Sequence, residues 1–213
     1  MERQPTPLIE QLASELQQVR PVRFRNGLLL LALAALFTIL AVEMVEGLWR
    51  GAWAGQASAF FVVTNGLLLI LGIASADSVL RMANPRVGNQ HDGPRWAMAM
   101  LMVLPLAAIA TLVGAENAIA ALADHHGLNC FGAGLTASAL TAAVLGFWLR
   151  RGAPVAPAAA GLHLGVAATA LGSAAWGLAC TLDGVVHLGF WHVLPVALGA
   201  LLGRYLLPYL LRW

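Results

Sequence analysis

Six apolar runs, each about as long as a bilayer is thick, leave this chain few architectures. A helix needs roughly 20 apolar residues to cross the hydrocarbon core. Backbone groups in that medium must find hydrogen bonds within the protein, which a helix provides internally. The runs cover about 27–49, 56–80, 96–118, 129–149, 158–179 and 184–207. Of 213 residues, 60% are hydrophobic and 10% charged, and the mean hydropathy is +0.77. Such a composition lies far outside a soluble globular domain. The expected fold is therefore all-α, an integral membrane protein built as a six-transmembrane-helix bundle with short connections.

Arginine supplies all 12 basic residues, and its distribution predicts the orientation. Eleven of the 12 fall in the N-terminal segment, the second and fourth connections and the C-terminal end, leaving only Arg50 for the other side. This asymmetry predicts that both termini are cytoplasmic. A net charge of +2 is too small to suggest direct nucleic-acid binding. The first run is too long for a signal-peptide core, and no clear small-residue cleavage site follows it.

Residues 1–26 form the one long polar stretch. Thr6 and Pro7 suit a helix start, and Leu8, Ile9, Leu12, Leu16 and Val19 recur at helical spacing until Pro21. Arg20, Arg23 and Arg25 follow. Two readings stay open: a helix lying on the membrane surface, or one that presents its apolar stripe to the groove of a cytoplasmic partner.

The remaining chemistry gathers on the opposite side. Cys130 opens the fourth run and Cys180 closes the fifth, each about 20 residues from the turn at 150–157, so an antiparallel pair of helices brings both thiols to one height. Small residues favour that close approach, with Gly132 and Gly134 on one run and Gly161, Gly165 and Gly172 on the other. Gly161 with Gly165, and Gly199 with Gly203, form two GxxxG pairs. Asp183, His187 and His192 begin the sixth run, and Glu116, His125 and His126 precede Cys130.

On a regular α-helix His187 shares a face with Asp183, whereas His192 lies about 140° around from His187. Thiol, imidazole and carboxylate together suit zinc, copper or cadmium, although no ligand pair has CxxC or HxxxH spacing. Three readings of the cysteines remain: a structural or switchable disulfide, a metal site using Cys130, Cys180 and His187, or two unrelated apolar cysteines. No obligatory cofactor is expected. His163 and His192 lie at different depths and do not suit one haem. Asp77, one turn before Arg81, is expected to pair with it.

No CxxC, phosphate-binding glycine loop or HExxH occurs, so an enzyme is not expected. Several residue patterns do resemble a family. The Asn129-Cys130 helix start, the Leu-Arg-Arg-Gly-Ala-Pro turn at 149–154, Cys180 with Asp183 and Trp191-His192, and the final Leu-Leu-Gly-Arg and Leu-Arg-Trp segments are similar to those of the NrsF family of six-span inner-membrane anti-sigma factors. The resemblance implies that the protein sequesters an extracytoplasmic-function (ECF) sigma factor at the bacterial inner membrane. Release would follow when periplasm-facing cysteines sense heavy-metal or oxidative stress. Leu8, Leu12, Leu16, Arg20, Arg23 and Arg25 are then the expected partner-binding residues. The alternative is a small transporter or membrane redox protein with an outer-face Cys/His site.

Overall fold

The computed structural model describes residues 10–11, 14–15, 23–84, 93–118 and 125–210. Among these, the regular structure is helical throughout. The expected partner residues Leu8, Leu12, Leu16 and Arg20 lie outside the described residues. Glu10, Gln11, Ser14 and Glu15, from the same segment, are helical and exposed. Arg23 and Arg25 are exposed at the start of the first long helix.

That helix, α1, spans Phe24–Val45. Its buried residues Gly27, Leu31, Ala34, Thr38 and Val42 recur every three or four positions and form one stripe. Leu28, Leu29, Leu33, Leu36, Phe37 and Leu40 point outward. The outer face is thus at least as apolar as the inner one, as expected of a helix whose surroundings are apolar and whose inner face selects for fit. A short turn, α2 (Arg50–Trp53), leads into α3 (Ala59–Met82), which is N-capped by Ser58. There follow α4 (Gly93–Leu101), α5 (Val103–Val113), α6 (His125–Arg150) and α7 (Pro157–Gly177). A π-helical turn at His187–Trp191 precedes α8 (Leu194–Tyr205) and α9 (Leu207–Leu210).

Among the described residues, five helical segments are long and apolar enough to cross a membrane: α1, α3, α4 with α5, α6 and α7. The sixth apolar run is not one continuous helix as expected from the sequence; its longest piece, α8, has 12 residues. Proline accounts for the interruption. Pro195 has no N–H to give the carbonyl four residues back, at Trp191, so the regular ladder cannot run through this point. Pro105 likewise deprives Leu101 of a partner, and the third run is divided at Met102. At α6 the helix begins four residues before the expected boundary, so His125 and His126 belong to its first turn.

α7 is the centre of the bundle, buried on nearly all sides. Alanine and glycine make this possible, because small side chains let neighbouring backbones approach. The two GxxxG pairs face each other across α7 and α8: a Cβ on Gly161 would collide with Gly203, and one on Gly165 with the Gly199 carbonyl. On its other side α7 meets α6, where a Cβ on Gly172 would lie 2.6 Å from Ser138 N and 2.7 Å from Gly134 O.

Gly27 lies against Leu80 and Trp148, Gly152 against Ala83 and Gly161 against Gly203, so Arg23, Arg25, Arg81, Arg150, Arg151 and Arg204 lie toward one end of the bundle. There Trp148 donates its indole N–H to Leu80 O at 3.3 Å and packs with Leu31, Val79, Leu145 and Leu149. Asp77 and Arg81 pair at 2.7 Å, as expected, with both side chains well exposed.

Candidate functional site

Both cysteines lie at the other end. Cys130 is on the second turn of α6. α7 finishes at Gly177, after which Ala179 N–H bonds to Trp176 O at 2.9 Å and Cys180 N–H to Gly177 O at 3.3 Å. These tight bonds turn the chain over the helix end and carry Cys180 to Cys130. The Sγ atoms are 3.8 Å apart. Neither cysteine is in a disulfide, and both are buried. The separation is a non-bonded contact, well beyond the roughly 2.05 Å of a disulfide.

His187 Nε2 lies 3.5 Å from Cys180 Sγ. His192 joins the group as well, and this placement differs from the sequence expectation. Hydrogen bonding in a π-helix runs from i to i+5, so residues five apart fall nearly one above the other instead of diverging. The His187 and His192 rings consequently face each other with centroids 5.5 Å apart and planes at 61°. One ligand atom from each of Cys130, Cys180, His187 and His192 falls within 4.8 Å of every other. The four residues are 9, 7, 8 and 1% exposed, in that order.

The turn is held from two sides. Gly189 faces α5, where a Cβ would lie 2.6 Å from Leu104 O. Trp191 lies against Gly127 of α6, where any Cβ would strike the indole. Among the described residues, His192 Nε2, Trp191 Nε1 and Trp176 Nε1 are buried and find no hydrogen-bond partner. Such groups are costly in an apolar interior unless something else satisfies them.

Asp183 does not face the cysteines. Residues 181–184 are not yet helical, so the shared face expected with His187 does not form. Its carboxylate instead accepts the Ser58 N–H at 3.0 Å, and Ser58 Oγ donates to Asp183 O at 3.3 Å. The same Oγ accepts Phe61 N–H as the cap of α3. Trp49 N–H bonds to Leu178 O at 2.8 Å. Two polar tethers therefore join the connection after α1 to the one carrying Cys180. The sequence reading overlooked Ser58, although a serine just before an apolar run is a helix-start signal.

An open cavity of about 800 Å³ reaches Cys130 and Cys180 from outside the bundle and is also lined by Glu46, Arg50, His126 and Trp176. His126 thus lines the approach and is not in the four-residue cluster. His125 is the first residue of α6.

The model of the family described as NrsF, negative regulator of sigma F, matches residues 12–213. No curated protein and no solved structure matches the chain.

Proposed function

The chain belongs to the NrsF family, negative regulators of sigma F, and from that premise we propose a membrane-bound anti-sigma factor that releases its partner when the buried thiols react. The partner is an ECF-type sigma factor held at the cytoplasmic face of a bacterial inner membrane. In this reading the sixth run also crosses the bilayer, with its interrupted backbone buried against α5, α6 and α7. The positive-inside rule puts the arginine-bearing end, and with it both termini, in the cytoplasm. The cysteines then face the periplasm, where disulfides form and persist.

The observation that carries the sensing role is the pair of buried thiols at 3.8 Å, reached by an open cavity lined by Glu46, Arg50 and Trp176. An oxidant that takes two electrons and two protons from Cys130 and Cys180 would leave one S–S bond, drawing the sulfurs together to roughly 2.05 Å. A thiophilic metal would instead settle between them. Either event acts on α6 and the end of α7, whose backbones are in close contact. At its opposite end α7 meets α8 through Gly161 and Gly203. Changed packing along α7 would thereby reach the cytoplasmic face and the segment containing Leu8, Leu12, Leu16, Arg20, Arg23 and Arg25.

A signal moves such an equilibrium only by its differential affinity for the retaining and releasing states. About 3 kcal/mol of difference changes partner occupancy roughly a hundredfold. The test is co-purification of a sigma factor with full-length protein from detergent-solubilised membranes, before and after a cadmium or oxidant challenge. Wild type should lose the partner on challenge, and the Cys130→Ser/Cys180→Ser variant should retain it. If no sigma factor co-purifies under any condition, the anti-sigma reading fails, and a transporter or redox protein with an outer Cys/His site takes its place.

A further inference from the structure

The geometry points to a four-ligand metal site: we propose that Cys130, Cys180, His187 and His192 together bind one divalent, tetrahedral d10 cation of the zinc and cadmium class. This deepens the sensing role proposed above and rests on it for its regulatory meaning, although not for its geometry.

Distances support the assignment first. With Zn–S near 2.3 Å and Zn–N near 2.0–2.1 Å, a regular tetrahedron has an S–S edge of about 3.8 Å and an S–N edge of about 3.5 Å. The Cys130–Cys180 separation is 3.8 Å, and the Cys180–His187 separation is 3.5 Å. The remaining ligand-atom separations are all within 4.8 Å, at most about 1.5 Å longer than a tetrahedral edge.

The second support is independent of those distances. His192 is 1% exposed, and among the described residues its Nε2 finds no hydrogen-bond partner. A histidine this deep, with a ring nitrogen within 4.8 Å of two sulfurs and another imidazole nitrogen, is placed as a ligand would be. The local backbone serves the same end. Pro195 interrupts the regular ladder, and the π-helical turn swings His192 onto the face of His187. Single π turns of this kind occur frequently at functional sites.

Charge selects the ion. Binding M2+ expels the two thiol protons to solvent and leaves two thiolates, two neutral imidazoles and one dication, a neutral set. Neutrality matters because an uncompensated charge in a low-dielectric interior is costly. Copper(I) at the same four ligands would leave one net negative charge. Two thiolates with two imidazoles is also a ligand set of structural zinc sites, which are closed to water. The wide cavity at Cys130 and Cys180 supplies the path by which the ion enters.

Cobalt(II) is the probe, titrated anaerobically into reduced, full-length protein in detergent. We expect one ion per chain, intense visible bands of a tetrahedral centre, thiolate-to-metal charge transfer in the near ultraviolet, and stoichiometric displacement by zinc. About two protons should be released per ion. His192→Phe and His187→Phe keep a ring in place while removing its nitrogens. Each should weaken binding by at least about a hundredfold, and Cys130→Ser should also diminish the charge-transfer band. Should a phenylalanine variant fail to yield monodisperse protein, His192→Asn and His187→Asn give the same comparison. Absence of cobalt binding by wild type would overturn the site, as would unchanged affinity and spectrum in both histidine variants. Sigma-factor retention is measured on the same samples. A chain that binds tetrahedral cobalt but keeps its partner at every occupancy leaves the site standing and overturns the sensing role. One that releases the partner to an oxidant yet never binds cobalt has the opposite meaning.

Discussion

The two ends of the bundle are built on different principles. At the arginine-bearing end, shape holds the helices together: Trp148 fills the space over Gly27, and Gly161 meets Gly203 backbone to backbone. Its charged groups lie outside that contact, with Asp77 and Arg81 exposed. At the cysteine end, polar atoms hold irregular backbone: Ser58 to Asp183, Trp49 to Leu178, and a π turn with a buried histidine whose Nε2 is unpaired. Close packing has one good solution and resists change. A polar cluster with an unmet bonding capacity has at least two arrangements, according to what satisfies it. In the role proposed above, the contrast puts rigidity where helices keep their register and reactivity where a signal would be received.

The strongest way to break this contrast is to introduce bulk at the α7–α8 crossing. Gly165→Leu puts a side chain into the Gly199 carbonyl, and overpacking without room to relax should cost about 3 kcal/mol or more. The expected outcome is loss of monodisperse protein in gel filtration; a variant that purifies and melts like wild type would show that the crossing is not fixed by shape. A smaller effect sharpens the other side. Asp183→Ala removes a charged acceptor from Ser58 N–H, worth about 1.5 kcal/mol. The loss should appear as faster hydrogen exchange at 178–184 and around Ser58, together with a fall of roughly 3–6 °C in melting temperature. The smallest effect is expected for Asp77→Ala, within about 0.5 kcal/mol, since an exposed i, i+4 pair contributes little. A melting shift of several degrees would mean that this ion pair does more than decorate a surface.

Sequence patterns disclosed these two ends unequally. The approximate positions of five of the six expected spans followed from apolar run length, because the requirement for internal backbone bonding is set by the medium and not by details of packing. The approach of Cys130 to Cys180 followed from equal spacing about a single turn, and the GxxxG pairs indicated a close crossing without naming their partners. His192 was misplaced because its angle was calculated for a regular helix. The correcting signal was present in Pro195, whose missing N–H affects the carbonyl four residues earlier. Asp183 was assigned to the wrong neighbours because its hydrogen bond reaches Ser58, 125 residues away in sequence. No local periodicity encodes a contact of that kind.

The character of α7 bears on how the protein is made. It has the lowest mean hydropathy of the five spanning candidates, 1.3 against 2.6 for α1, and the largest buried share, 72%. A helix rich in alanine and glycine has a weak individual claim on a bilayer, where leucine, isoleucine and phenylalanine favour insertion. In the membrane setting proposed here, α7 would leave the ribosome as a poor guest of the lipid and become stable only as α6 and α8 enclose it. The ribosome must deliver the chain through Tyr205, where α8 ends, before that enclosure is complete. A ribosome stalled before α8 would therefore leave the most central helix without its covering, exposed to membrane quality control.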